Sequence, residues 1–354
     1  MKILQQMSVM GHERVVFHQD PESGLRAIIA VHNTTLGDAL GGTRRWCYAS
    51  EEDALHDVLR LSEGMTYKGA AAGLALGGAK SVILLDNPGQ ESTEAQGHAM
   101  GAFVETLNGA YIAAEDVGVT PQFCEWMRTK TEFVMGDHDH GGDPSPHTAQ
   151  GTFNAMKATL AHAGRPIDFV GLTVGIQGLG ATGFKLAKLI REAGGDVIGT
   201  DVNPHAIRMA VDSLGIRVLS DDEDLFTLSD IDILAPCALG AVIDERVINE
   251  LAAPIICGTA NNVLADPDRD GQLLKEKGII YAPDFIANAG GVIHLAGLYL
   301  GLASEDIERK VEQIQTTTEI VLKETSSHAS AYDAAVAYAK ERIESGRQEL
   351  SAHS

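Results

Sequence analysis

The sequence of 354 residues predicts an α/β protein of two domains, a mixed α/β domain followed by a doubly wound parallel sheet. Three observations carry this. Strand-like and helix-like segments alternate along the chain, most regularly after residue 171. Within that region Gly178-Leu179-Gly180-Ala181-Thr182-Gly183 forms G-x-G-x-x-G between a strand pattern and a helix pattern, the context in which this motif is informative. Glycine is abundant (38 residues) and aromatics make up only 5%, which suits close-packed α/β layers better than a β-sandwich.

The elements follow in order. Residues 13–18 and 25–32 read as strands divided by the turn-rich 19–24, and a third strand covers 42–46. Ser50-Glu51-Glu52-Asp53 reads as a capping box that opens a helix. Ala54, Val58, Leu61 and Met65 recur on one face of it, and Lys68 is next on that face. His56, Arg60, Glu63 and Tyr67 fall on the other side. Gly77-Gly78 then leads to Lys80, directly before the apolar run Ser81–Leu85, which reads as a buried strand. A helix over 94–107, a strand over 110–114 ending at Glu115-Asp116, and a helix opened by Pro121 bring the first domain to residue 135. The Gly-, Pro- and Asp-rich stretch 136–147 reads as a linker, with His138 and His140 solvated rather than ligating a metal.

A helix over 148–162 precedes the second domain. Its strands are expected at 172–177, 196–200, 231–234, 255–257 and 279–281, with helical segments between them. The expected division is thus 1–135, then 136–328 as the dinucleotide-binding domain, then a C-terminal helical segment, 329–354, packing back toward the first domain.

The formal net charge of −22 argues against nucleic acid and anionic membrane as partners, since both need a basic face. Cys47, Cys124, Cys237 and Cys257 lie far apart without a C-x-x-C pair, so they read as scattered thiols of a reducing compartment. No leader pattern opens the chain and no stretch of eighteen apolar residues occurs, so the cytoplasm is the expected location.

Two groups of residues carry candidate chemistry. Lys68 and Lys80 stand in surroundings of Gly, Ala, Leu and Met. Two inward ammonium groups in an apolar setting suggest a site that binds an anion and moves protons, the alternative being that each lysine snorkels to the surface. In the second domain, Gly178 gives the tight turn, Gly180 lets the backbone approach a pyrophosphate, and Gly183 lets the helix pack on its strand. Ala181 and Thr182 open that helix. Asp201, ending the next strand, suits both ribose hydroxyls and repels a 2′-phosphate, and no arginine follows in Val202–His205, so NAD is favoured over NADP. Residues 235–240, including Cys237 and Ala238, and 257–262, including Asn261 and Asn262, sit where strands should end. The paired asparagines suit a ribose, a carboxamide or a carboxylate.

Eight stretches spread over nearly the whole chain resemble one family: TTLGDALGGTR (34–44), GMTYKGAAAGLALGGAK (64–80), AAEDVGVT (113–120), DPSPHTAQG (143–151), QGLGATG (177–183), APCALGAVI (235–243), CGTANN (257–262) and APDFIANAGGVI (282–293). They are similar to the glutamate, leucine, phenylalanine and valine dehydrogenases, most of all to the leucine dehydrogenases. The resemblance implies an N-terminal substrate domain, a Rossmann domain for NAD, a cleft between them, and a homo-oligomer. It implies that Lys68 holds the substrate carboxylate, Lys80 is the catalytic lysine, and Asp116 handles protons beside it. Thr148 would contact the nicotinamide amide, and Asn262, with Asn261, a carboxylate or the cofactor.

The same resemblance gives Leu40, Gly41, Met65, Ala114, Val292 and Leu295 as substrate contacts. Alanine at position 114 matches members acting on branched-chain amino acids, whereas members acting on aromatic ones tend to have glycine. Leu295 stands where leucine dehydrogenases tend to have valine. One departure is Ala79, where the family's third glycine is usual. It is expected to shift specificity or slow turnover, and it is the main support for a rival reading as an NAD-linked binding protein without catalysis.

Overall fold

The computed structural model describes residues 2–220, 223–238 and 240–352; Leu239, within the 235–240 stretch, lies outside them. The chain divides into two compact units. One comprises residues 1–144, 294–303 and 339 onward, the other residues 145–293 and 304–338. The first boundary falls at Pro144/Ser145, because the 136–144 segment is bound into the first unit. Arg128 Nε lies 3.3 Å from Asp137, His140 Nδ1 2.8 Å from Asp137, and His294 Nε2 2.8 Å from Gly141 O.

In the first unit, α1 (Ile3–Met10) precedes β1 (Arg14–Asp20), β2 (Leu25–Asn33) and β3 (Ala39–Trp46). There follow α2 (Glu51–Ala71), β4 (Gly77–Leu84), α3 (Glu94–Glu105), β5 (Tyr111–Glu115) and α4 (Pro121–Arg128). The Ser50 hydroxyl accepts the Asp53 N–H to cap α2, and Thr120 with Pro121 opens α4. The sheet order is β1-β2-β4-β3-β5, with β3 parallel to β4 and β5 and the other pairs antiparallel. One face packs on α2, where Ile28, Ala30 and Val82 meet Ala54, Leu55, Val58 and Leu59. The other packs on α3 and α4, where Ile29, Ala79, Ile83 and Ala113 meet Met100, Phe103, Phe123 and Met127.

Two expectations are corrected here. Lys80 does not precede the strand but lies inside it, paired with Ala30 of β2, because Gly77-Gly78-Ala79 is itself strand. The glycines are needed for close approach: a Cβ on Gly77 would stand 2.1 Å from Asn33 O, and one on Gly78 2.1 Å from Thr66 N. Tyr67 is not on an exposed side of α2 but is 7% exposed. The His32 ring lies edge-on at 6.0 Å, and Lys340 from the C-terminal helix covers the Tyr67 ring. Periodicity within one helix does not register cover from a distant segment.

In the second unit, α5 (Ser145–His162) leads to β6 (Thr173–Gln177), α6 (Ala181–Glu192), β7 (Asp196–Thr200), α7 (Pro204–Leu214) and β8 (Arg217–Val218). Then come β9 (Ile233–Pro236), α8 (Glu245–Glu250), β10 (Ile255–Ile256), α9 (Pro267–Glu276), β11 (Ile280–Tyr281) and α10 (Asp284–Ala287). The chain closes with α11 (Gly290–Tyr299), α12 (Ser304–Glu324) and α13 (Ala331–Ala352), of which α11 and α13 each contribute to both units. The six strands are all parallel in the order β11-β10-β9-β6-β7-β8. This is the doubly wound order of a dinucleotide-binding fold, with its switch between β6 and β9. The long α12, which no sequence pattern singled out, lies along α5, with Asn154 Nδ2 donating to Val311 O at 3.2 Å. Among the described residues, no helix is long and apolar enough to cross a membrane.

Candidate active site

Side chains alternate along a strand. Since Ala39, Ala79 and Ala113 enter the core against α3 and α4, their strand neighbours Leu40, Gly42 and Arg44, Gly78 and Lys80, and Ile112 and Ala114 share the opposite face. Asp116, just past β5, continues that face. Lys80 Nζ stands 3.0 Å from Asp116 Oδ2, and Arg44 Nε stands 2.9 Å from the same oxygen. Lys68 and Lys80 are 8% and 6% exposed, so neither snorkels to the surface. A Cβ on Gly42 would lie 2.8 Å from Asp116 Cβ and 3.2 Å from Lys80 Nζ, so glycine there leaves room for the ion pair.

Burial raises the Asp116 carboxyl, but the charges of Lys80 and Arg44 outweigh it and hold the group at about 2. Asp116 is therefore an anion at neutral pH. Burial works against the Arg44 charge, and Asp116 and Asp57 more than restore it. The neighbouring Glu115 alternates to the other face. Burial, with Asp143 adding to it and His138 opposing, pushes its carboxyl up to about 7.

The remaining expected substrate contacts of the first unit are placed as follows. Leu40 and Ala114 are buried on the face of Lys80, and Met65 is half-buried on α2. Gly41 alternates to the far face: its carbonyl accepts the Tyr111 hydroxyl at 2.9 Å, and a Cβ there would meet Ala79 O at 1.7 Å. Leu295 is buried against Gly141, whose Cβ would fall 2.4 Å from Leu295 Cδ2. Val292 is half-buried and belongs to the second unit.

The second unit builds a glycine-rich turn between β6 and α6. Gly178 has φ +97°, and a Cβ there would meet Ala238 Cβ at 2.8 Å. A Cβ on Gly183 would meet Gly178 O at 1.9 Å and Cys237 Cβ at 3.2 Å. Around Gly180, by contrast, nothing lies within 4 Å of where a Cβ would be. Two glycines are thus required by packing and the third leaves open space beside the N-terminus of α6, where Ala181 and Thr182 begin the helix. The first N–H groups of a helix lack internal partners and suit a diphosphate. Asp201 is tied to the same turn, since its Oδ2 accepts the Leu179 N–H and its Oδ1 the Asn203 N–H, both at 2.7 Å. These residues fit a dinucleotide.

The loops beyond β9 and β10 meet beside this turn. Thr182 Oγ1 and Thr259 Oγ1 are 2.9 Å apart, and Ala241 N donates to Asn262 O at 2.7 Å. Asn262 takes a left-handed conformation, φ +51°, and Asn261 is exposed. Thr148 lies half-buried in the first turn of α5. Asn288, 4% exposed, clamps the loop by donating to Thr259 O, Ala260 O and Asn261 Oδ1 at 3.2, 3.1 and 2.8 Å. Among the described residues, no group of three or more His, Cys, Asp or Glu side chains is arranged to hold a metal ion.

Residues 12–133 match the Glu/Leu/Phe/Val dehydrogenase, dimerisation domain, and residues 203–349 match the Glutamate/Leucine/Phenylalanine/Valine dehydrogenase domain. The chain is 43% identical to the leucine dehydrogenase of Geobacillus stearothermophilus, over 99% of this chain and 96% of that one. The chain belongs to the Glu/Leu/Phe/Val dehydrogenase family. It is also 42% identical to the phenylalanine dehydrogenase of Lysinibacillus sphaericus, over 86% of this chain and 81% of that one. The crystal structure of L-tryptophan dehydrogenase from Nostoc punctiforme superposes with a TM-score of 0.84 at 36% identity, covering 98% of this chain and 99% of that one.

As a Glu/Leu/Phe/Val dehydrogenase, the protein is an oxidoreductase that acts on amino acids, in a family that depends on NAD(P). The sequence reading missed Arg44, Asp57 and Asn288 as residues of these sites. Arg44 and Asn288 each lie inside one of the stretches that resemble the family, but nothing local marks which way they point. Asp57 lies outside those stretches and reads only as a polar position on α2.

Proposed function

We propose that the protein catalyses the reversible oxidative deamination of a branched-chain L-amino acid (leucine, valine or isoleucine) to the 2-oxo acid and ammonia, with NAD as oxidant. The observation that carries the reading is the buried Lys80–Asp116 pair at 3.0 Å on the same sheet face as the apolar Leu40 and Ala114. NAD, when bound, supplies the hydride acceptor. The chain's own groups do the rest. Lys68 pairs with the substrate carboxylate and fixes its orientation. Asp116, an anion in the resting site, receives the amino group through an ionic hydrogen bond.

The ammonium first gives up its surplus proton through Asp116. Hydride then leaves the α-carbon of the neutral amine, the nitrogen lone pair forms the C=N bond, and an iminium results. Water attacks its carbon, the C=N π pair moves to nitrogen, and neutral Lys80 takes the proton leaving water. While Lys80 is neutral, one of the two cations holding Asp116 down is gone, which lets Asp116 carry a proton. Protonated Lys80 then returns its proton through Asp116 to the amino nitrogen, the C–N bond breaks to release ammonia, and the hydroxyl proton passes to Lys80 as the C=O bond forms. Thr148, Asn261, Asn262, Cys237 and Ala238 are assigned to the nicotinamide side, and Gly178, Gly180, Ala181, Thr182, Gly183 and Asp201 to the adenosine and diphosphate.

NAD over NADP is supported by Asp201, which is bonded into the glycine turn and adds negative charge where a 2′-phosphate would sit. A branched-chain substrate is supported by alanine rather than glycine at position 114 and by the 43% identity to leucine dehydrogenase. A homo-oligomer is supported by the match of residues 12–133 to a dimerisation domain, and we place the protein in the cytoplasm. The test is an initial-rate panel of L-amino acids with NAD and NADP. The highest kcat/KM is expected with a branched-chain amino acid and NAD. A lead for phenylalanine or tryptophan would overturn the pocket assignment, and no reduction of cofactor with any amino acid would overturn the enzyme reading.

A further inference from the structure

Arg44 projects from β3 between two carboxylates. Its Nε donates to Asp116 Oδ2 at 2.9 Å and its Nη1 to Asp57 Oδ2 at 3.1 Å. Asp57 is held in turn on α2 by the Tyr48 hydroxyl at 2.8 Å and by Arg60 Nη2 at 3.3 Å. The side chains of Arg44, Asp57 and Asp116 are only 19%, 16% and 14% exposed. A guanidinium is a planar fork, so donors directed at two separate carboxylates fix the position of both, which a lysine point charge would not do.

We infer that Arg44 is the positioning residue for Asp116, anchoring its Oδ2 to α2 through Asp57 so that Oδ1 remains directed to the substrate amino group. The inference rests on the proposed role of Asp116 in the deamination reaction. Lys80 does not serve as this anchor. It donates to the same oxygen, but it must be neutral, without its charge, before it can act as base, whereas a guanidinium stays charged at every working pH. Arg44 is thus the permanent cation of the pair, and it keeps the carboxylate in register through the step in which Lys80 is neutral.

The groups bearing on Asp116 are identifiable. Lys80 comes from β4, Arg44 from β3, Asp57 from α2 and Tyr48 from the segment before α2, while Tyr111 and Glu115 of β5 lie on the far face. Of these, Arg44 is the one cation whose removal takes away no proton-transfer group. Its loss should therefore raise the Asp116 carboxyl and move the acid limb of the rate profile upward.

The test compares Arg44→Met, Arg44→Lys and Asp116→Asn in the full-length enzyme. It reads kcat, the KM for NAD, melting temperature, and kcat/KM against pH. Arg44→Met is expected to lower kcat by about tenfold to a hundredfold with the KM for NAD unchanged, and to raise the acid limb by about one pH unit or more. Arg44→Lys should keep the limb near its wild-type position, because charge is retained, but recover only part of kcat. Unchanged kcat and an unmoved limb in Arg44→Met, with Asp116→Asn inactive, would overturn the inference alone. Near wild-type turnover in Asp116→Asn would instead remove the reading on which it rests. Should Arg44→Met not fold, Arg44→Lys decides: full kcat with only a lower melting temperature makes Arg44 a structural strut and overturns its positioning role.

Discussion

Ala79 and Lys80 are neighbours in β4 and point to opposite faces of the sheet. The Ala79 methyl is fully buried among Ile29, Val31, Met100 and Val134, while Lys80 reaches Asp116 at 3.0 Å on the side of α2. The departure from the family's third glycine therefore adds a methyl to the core and nothing to the lysine's surroundings. This removes the main support for a binding protein without catalysis.

Replacing Ala79 with Gly is accordingly expected to leave kcat within about twofold of wild type and to lower stability by about 1 kcal/mol, from the lost methyl and the freer backbone. Steady-state kinetics and thermal unfolding check both. A large gain in turnover would show that the methyl does reach the site.

Lys80→Ala is expected to lower kcat by about a hundredfold or more while NAD still binds, since the Rossmann unit is untouched. Turnover is read by absorbance at the NADH band, and NAD affinity by calorimetry. Turnover near that of the wild type would sink the role of general base.

Asp201 accepts backbone N–H groups from Leu179 and Asn203, so its carboxylate is fixed at the glycine turn. Asp201→Ser should narrow the ratio of kcat/KM for NAD over NADP, chiefly through KM, because it removes a charge repelling a 2′-phosphate. Equal use of both cofactors by the wild type would show that Asp201 does not set the choice.

Ala114 is buried on the face of Lys80. Ala114→Gly should shift kcat/KM toward phenylalanine relative to leucine by about 1–3 kcal/mol, the range for one methylene-sized change in an apolar pocket. Parallel rates on the two substrates measure it, and an unchanged ratio would exclude position 114 from the pocket.

His12 and His32 form a buried pair with ring centroids 4.8 Å apart, bonded to Ser62 and Thr66 of α2. Burial, with the charge of His32 adding to it, lowers His12 from 6.5 to about 4, and burial lowers His32 as well. Between these values the unfolded chain binds the proton and the folded chain does not. Stability is thus complete above pH 6.5 and is lost as pH falls toward 4, by about 3 kcal/mol for a shift of that size at His12. His12→Gln should flatten the fall in melting temperature between pH 7 and about pH 4.5 relative to the wild type. An equally steep fall would place the acid sensitivity elsewhere.

By itself the sequence determined whatever depends on local pattern. The period of α2 turned Lys68 inward, and the glycine turn between β6 and α6 with Asp201 beyond it was legible as a dinucleotide site, because strand, turn and helix are contiguous in the chain and the turn's glycines answer local needs, two for packing and one for open space. The family was legible from stretches spread along the chain. Tertiary structure decided what depends on which face a strand turns to its neighbours. It put the glycines before Lys80 inside β4, sent Gly41 and Ala79 to the far face, buried Tyr67 under the C-terminal helix, and joined Arg44 to Asp116 and Asp57. A period of two gives either side of a strand equal standing in sequence, and only the packing of α2 on one face and of α3 and α4 on the other tells them apart.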